Sequence, residues 1–200
     1  MKLVVFDLDG TLIRGRTVLE HLARKLGQRA LVDRAERCRT RRQIERARAA
    51  LDTAYGSRRD GDLARLLPGL PFAPGVEPGF ARLREQGVRI AIATLTWSFA
   101  ATWCARRLGV QHCLATRRGP HGRIRHVWPS EKAIWLRRLA LAHGIALHDV
   151  AAVGDSPSDL PMLRAAGQGW YVGRIPPHDL GALRHRPLAD IGELVEEMLA

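Results

Sequence analysis

Lysine is nearly missing from this chain. Of 32 basic residues only Lys2, Lys25 and Lys132 are lysines, so a formal net charge of +12 is carried almost wholly by arginine. Cysteine is scarce as well. Cys38, Cys104 and Cys113 show no metal-binding or redox spacing, and an odd count argues against a disulfide framework, which fits a reducing cytoplasm. Long apolar runs are absent, and none approaches the ~20 residues that a membrane span needs. The apolar run that opens the chain stops at Asp7 after Leu3–Phe6, too soon for a signal peptide. These absences set the expectation of a soluble, cytoplasmic protein without a membrane partner. The charge balance attracts anions, either phosphorylated small molecules or nucleic acid, or reflects an arginine-biased composition.

The 200 residues, 46% of them hydrophobic, suffice for one core with a small insert. Residues 2–6 read as a buried strand that feeds a loop. Thr17 and Glu20 have capping-box spacing, and Gly27 suits the end of the helix they open. From 28 to 55 the chain is arginine-rich with a helical apolar period, and a short helix is expected at 63–67. Residues 68–79 (PGLPFAPGVEPG) are dense in proline and glycine and mark a boundary. Strands and helices then alternate: strands at 88–94, 110–116, 150–153 and 169–172, helices at 80–86, 97–108, 130–143, 156–166 and 191–199. The pattern predicts an α/β fold, a Rossmann-like parallel sheet with helices on both faces, formed by 1–13 and 75–200. A small all-helical insert, 14–74, follows the first strand.

Polar residues stand at three strand ends, where such sheets bind ligands. In DLDGT (7–11) Asp7 and Asp9 project alike from extended chain, and Gly10 permits a sharp turn. Two carboxylates so placed repel unless a cation or proton joins them, and Mg²⁺ prefers such hard oxygen ligands. Thr94 closes a strand with a hydroxyl that can hold a phosphoryl oxygen or simply cap the next helix. Lys132, early in the helix SEKAIWLRRLALAHG, either neutralises carboxylate and phosphate together or sits in solvent. In GDSPSDLPML (154–163) helix capping accounts for Ser156 and part of Asp159, but not for Asp155 directly after Gly154.

The order of these four elements resembles the haloacid-dehalogenase-like superfamily over 1–13 and about 75–175. The insert resembles that superfamily's first, helical cap type, and GDSPSDLPML resembles its phosphoserine-phosphatase-like branch. The resemblance implies a phosphatase in which Asp7 is the nucleophile and Asp9 the acid and base. Mg²⁺ would be held by Asp7, the Asp9 backbone carbonyl and Asp155, with Asp159 holding a metal-bound water or orienting Lys132. Thr94 and Lys132 would bind phosphoryl oxygens. Asp9 also sets the chain apart from dehalogenases, which lack an acid there, and from cation-pumping ATPases, which carry Thr.

Thr11, Arg16, Leu95 and Thr96 are the expected substrate contacts. Phosphoserine phosphatases typically carry Glu where this chain has Arg16, and a Gly-Gly pair where it has Leu95-Thr96. On that ground phosphoserine is expected to be a poor substrate, and a carboxylate or second phosphate a better fit. Two other readings remain open: a phosphotransferase using the same aspartyl-phosphate, and an arginine-rich nucleic-acid-binding protein with an idle acidic site. Oligomeric state is not legible.

Overall fold

A computed structural model describes residues 1–200. A seven-stranded sheet runs in the order β4-β3-β2-β1-β5-β6-β7. Its strands are β1 (Leu3–Phe6), β2 (Arg89–Trp97), β3 (His112–Arg118), β4 (Ile124–Arg125), β5 (Val150–Gly154), β6 (Gln168–Tyr171) and β7 (Arg184–His185). All neighbours are parallel except β3 with the edge strand β4. The α/β parallel architecture is the expected one.

Every residue of β1 is buried. Its continuous apolar run follows from a sheet covered on both faces. Val4, Phe6, Ile92 and Val153 join one core, whereas Leu3, Val5, Ala93 and Ala152 join the core on the other face. Strand β1 pairs with β2 on one side and β5 on the other, so the chain reverses its direction of winding around β1. The crevice at this switch point is where Asp7 and Asp155 leave their strands.

Four helices follow β1: α1 (Val18–Leu26), α2 (Arg29–Glu36), α3 (Arg41–Tyr55) and α4 (Asp60–Ala64). The Thr17–Glu20 capping box forms as read, and Gly27 closes α1 in the left-handed conformation. The arginine-rich stretch is two helices rather than one. It breaks before Thr40, whose hydroxyl and the Gln43 amide build a second capping box.

The remaining helices are α5 (Val76–Glu85), α6 (Ser98–Leu108), α7 (Pro129–Ala142), α8 (Leu160–Leu163) and α9 (Ile191–Leu199). α5 starts four residues before the expected Phe80, because Pro78 falls in its first turn, where a missing N–H is harmless. Strand β2 also runs past Thr94 to Trp97, with a register shift against β3 between Ala93 and Trp97. That irregularity frees the Leu95 carbonyl to accept from Thr116 Oγ1 at 2.9 Å. No helix is long and apolar enough to cross a membrane.

Candidate active site

The β1 ladder extends one residue beyond the strand through Asp7 N–H to the Val153 carbonyl, 2.9 Å, which fixes the Asp7 backbone beside β5. The chain then turns, with Gly10 N–H donating to the Ile13 carbonyl at 2.7 Å. Gly10 has φ +90°, and a Cβ there would overlap the Asp155 carboxylate. Glycine is therefore required twice over, by backbone and by space.

Asp7, Asp155 and Asp159 converge: one carboxylate oxygen from each lies within 4.8 Å of the others. Lys132, in the first turn of α7 and 1% exposed, donates to Asp7 Oδ1 at 2.5 Å and to Asp159 Oδ1 at 2.6 Å. Asp159 is wholly buried and well supplied with donors. Its Oδ2 accepts from Ser156 Oγ at 2.8 Å, Ser156 N–H at 3.0 Å and Asp155 N–H at 3.2 Å. Thr11 Oγ1 donates to Asp155 Oδ1 at 2.9 Å.

One ammonium among three carboxylates leaves excess negative charge in a dry place. Burial, reinforced by Asp159, pushes the Asp7 carboxyl well above the usual range, and the same two causes push Asp155 up to about 6. Burial alone would pull the Lys132 ammonium down, but Asp7 and Asp159 raise it by more, so it stays charged. Hard oxygen donors with surplus charge suit a divalent cation, and the triad can hold one.

Asp9 stands apart from this group. Its Oδ1 accepts from Val18 N–H, the first residue of α1, at 2.7 Å. Burial pushes its carboxyl up to about 6 against the pull of that N–H. The third acid of the cluster is thus Asp159, and the Asp9 side chain lies outside it. Sequence spacing placed Asp7 and Asp9 on one side of an extended chain, but the turn at Gly10 has already begun and swings Asp9 toward the helices.

A cavity of about 220 Å³ opens beside Asp9. Leu95, Thr96 and Trp97 line it from the sheet, and Ile44, Ala47, Arg48 and Leu51 from α3, with Glu36 at the end of α2. Of the four expected substrate contacts, Leu95 and Thr96 line this cavity, and Thr11 and Arg16 do not. Thr11 is fully buried on Asp155 and positions that acid. Arg16 lines a separate depression with Arg24 and Asp33, its Nη1 3.3 Å from His21 Nδ1. Thr94 is buried, and its Oγ1 accepts from Thr96 N–H at 3.2 Å.

Sequence reasoning missed Arg48 and Glu36, which belong to an arginine-rich helical pattern that reads as solvated surface. In fact Arg48 donates to the Leu95 carbonyl at 2.9 Å and lies over the Trp128 ring at 5.4 Å, and burial pushes it down to about 10. No local signal marks it.

A family model described as haloacid dehalogenase-like hydrolase matches residues 4–164. The phosphoserine phosphatase of Archaeoglobus fulgidus is 26% identical over 187 residues, covering 84% of this chain and 51% of its own length. That of Methanocaldococcus jannaschii is 25% identical over 182 residues, covering 83% of this chain and 82% of its own. The chain therefore spans about half of the first relative and most of the second. A substrate-bound phosphoserine phosphatase structure superposes with a TM-score of 0.79 at 18% identity, over 98% of this chain and 97% of that one, which shows a shared fold. The expected exclusion of phosphoserine is not upheld. Arg16, its basis, lies outside the pocket, and these relatives are phosphoserine phosphatases.

Proposed function

The chain belongs to the haloacid dehalogenase-like hydrolases, and from that premise we propose that it hydrolyses a small phosphomonoester through a phosphorylated Asp7, with Mg²⁺ as cofactor. The observation that carries this reading is the setting of the Asp7 carboxylate. Lys132 holds Oδ1, whereas Oδ2 accepts no hydrogen bond and is free to meet phosphorus. In the first step an Asp7 oxygen attacks phosphorus in line, the bond to the leaving oxygen breaks, and Asp9 gives that oxygen a proton. In the second step water attacks the same phosphorus, Asp9 takes its proton, and the bond to Asp7 breaks. An Asp9 carboxyl near 6 suits both directions of transfer close to neutral pH.

The cation, held by Asp7, the Asp9 backbone carbonyl and Asp155, would screen the approach of two anions and polarise the phosphoryl group. Asp159 orients Lys132. Lys132 and Thr94 would take phosphoryl oxygens as charge builds on them. Residues 14–74 would form the lid, since α2 and α3 roof the cavity beside Asp9. Its mostly apolar wall, with two acids, Asp9 and Glu36, and one arginine, Arg48, suits a compact leaving group. Phosphoserine belongs in the substrate panel, because the relatives act on it. Phosphate release from an aryl phosphate in Mg²⁺ should vanish in EDTA and in Asp7→Asn, and activity that survives Asp7→Asn excludes this mechanism.

A further inference from the structure

His112 opens β3 and His143 caps the end of α7. Both lie at the amino end of the parallel strands, away from the strand ends that carry Asp7 and Asp155. Their Nε2 atoms are 3.2 Å apart and their ring centroids 4.9 Å apart, with the planes inclined at 63°. Neither ring makes another hydrogen bond, and both are half-buried.

The two separations exclude a head-on meeting of the rings. A head-on N–H···N bond at this length would hold the centroids about 5.5 Å apart, since an imidazole centroid lies about 1.15 Å behind its nitrogen. The observed rings are closer, so at least one of them is turned out of line. Rings that share these separations by facing one apex symmetrically would have that apex about 2.2 Å from each nitrogen, near the metal–imidazole distance.

We propose that His112 and His143 form a second cation site, selective for a borderline transition metal such as Zn²⁺ over Mg²⁺. Imidazole nitrogen suits zinc, copper and nickel, whereas Mg²⁺ demands oxygen, so the two sites on this chain sort cations by ligand type. Metal-binding histidine must be neutral, and burial, His143 and Arg89 all push the His112 imidazole down from its ordinary value. No third histidine, cysteine or carboxylate converges with the pair. Water or an anion would complete the coordination, and Arg89 opposes the cation, so binding is labile. Bound metal would pin the end of α7 to the sheet, while Lys132 pins its start.

The test is a Zn²⁺ titration of the full chain in excess Mg²⁺, read by calorimetry and by the nitrogen resonances of the histidine rings. One saturable Zn²⁺ per chain should move the His112 and His143 rings before the other six of the eight histidines. His112→Gln and His143→Ala should each abolish that phase, with circular dichroism unchanged, and His121→Ala should keep it. Zn²⁺ uptake that persists in both variants, or rings that do not move in the wild-type chain, overturns the site and leaves a hydrogen-bonded histidine pair.

Discussion

Replacing Lys132 with methionine keeps most of the side-chain volume but deletes the one cation bonded to Asp7 and Asp159. All three groups are nearly dry, with side chains 1%, 7% and 0% exposed. Breaking a buried ion pair from one side costs about 3–5 kcal/mol, because the abandoned charge stays in a low dielectric. At about 2–4 °C per kcal/mol for a chain of this size, the metal-free variant should melt roughly 6–20 °C below wild type at pH 7.5. The sign of the pH dependence follows from Asp7. Its folded-state carboxyl already stands above the unfolded value, and loss of Lys132 raises it further. Such a group loses stability as pH rises through its folded value, so the deficit should be smaller at pH 5 than at pH 7.5. Mg²⁺ should restore part of the loss, up to about 2.7 kcal/mol at a hundredfold excess over its dissociation constant. Calorimetric melts in EDTA and in Mg²⁺ at the two pH values give all four numbers. A variant within about 2 °C of wild type in EDTA at pH 7.5, or a deficit that ignores pH, would refute the reasoning.

Other expectations come from neighbouring residues. Gly10→Ala should lose about 1–3 kcal/mol and bind Mg²⁺ poorly, since the left-handed φ and the Asp155 carboxylate both oppose a Cβ; a melt equal to wild type would contradict this. Asp155 near 6 and the raised Asp7 hold protons that a cation must displace. Apparent Mg²⁺ affinity should therefore tighten between pH 5 and 7 by about tenfold per unit for each proton released, and a flat profile would exclude proton competition. Thr11→Val should cost about 1 kcal/mol and raise the Mg²⁺ requirement while leaving the KM for the phosphoester alone, which separates support of Asp155 from substrate contact.

The strand ends were the readable part of the site. DLDGT and GDSPSDLPML sit at turns whose local chemistry is written in a few adjacent residues, and a lone lysine early in a helix stood out in an arginine-rich chain. What stayed hidden was set by contacts between distant segments. Thr11 and Asp155 are 144 residues apart, and nothing near Thr11 shows that its hydroxyl faces inward. Arg16 differs from Arg48 only in what each meets after folding. The break at Thr40 was written in its capping box with Gln43, yet no glycine or proline drew attention to it. The two-residue β7 pairs only with β6 and is too short to carry a period.

The hydrogen bond from Val18 to Asp9 ties proton chemistry to mechanics. The donor is the leading amide of α1, and the acceptor is the group that would shuttle the proton. Swinging that helix outward would strip the carboxylate of a stabilising dipole and make it a stronger base. Entry of a substrate and arming of its acid would then be one motion, read out as a kinetic proton inventory that shifts whenever α1 is displaced.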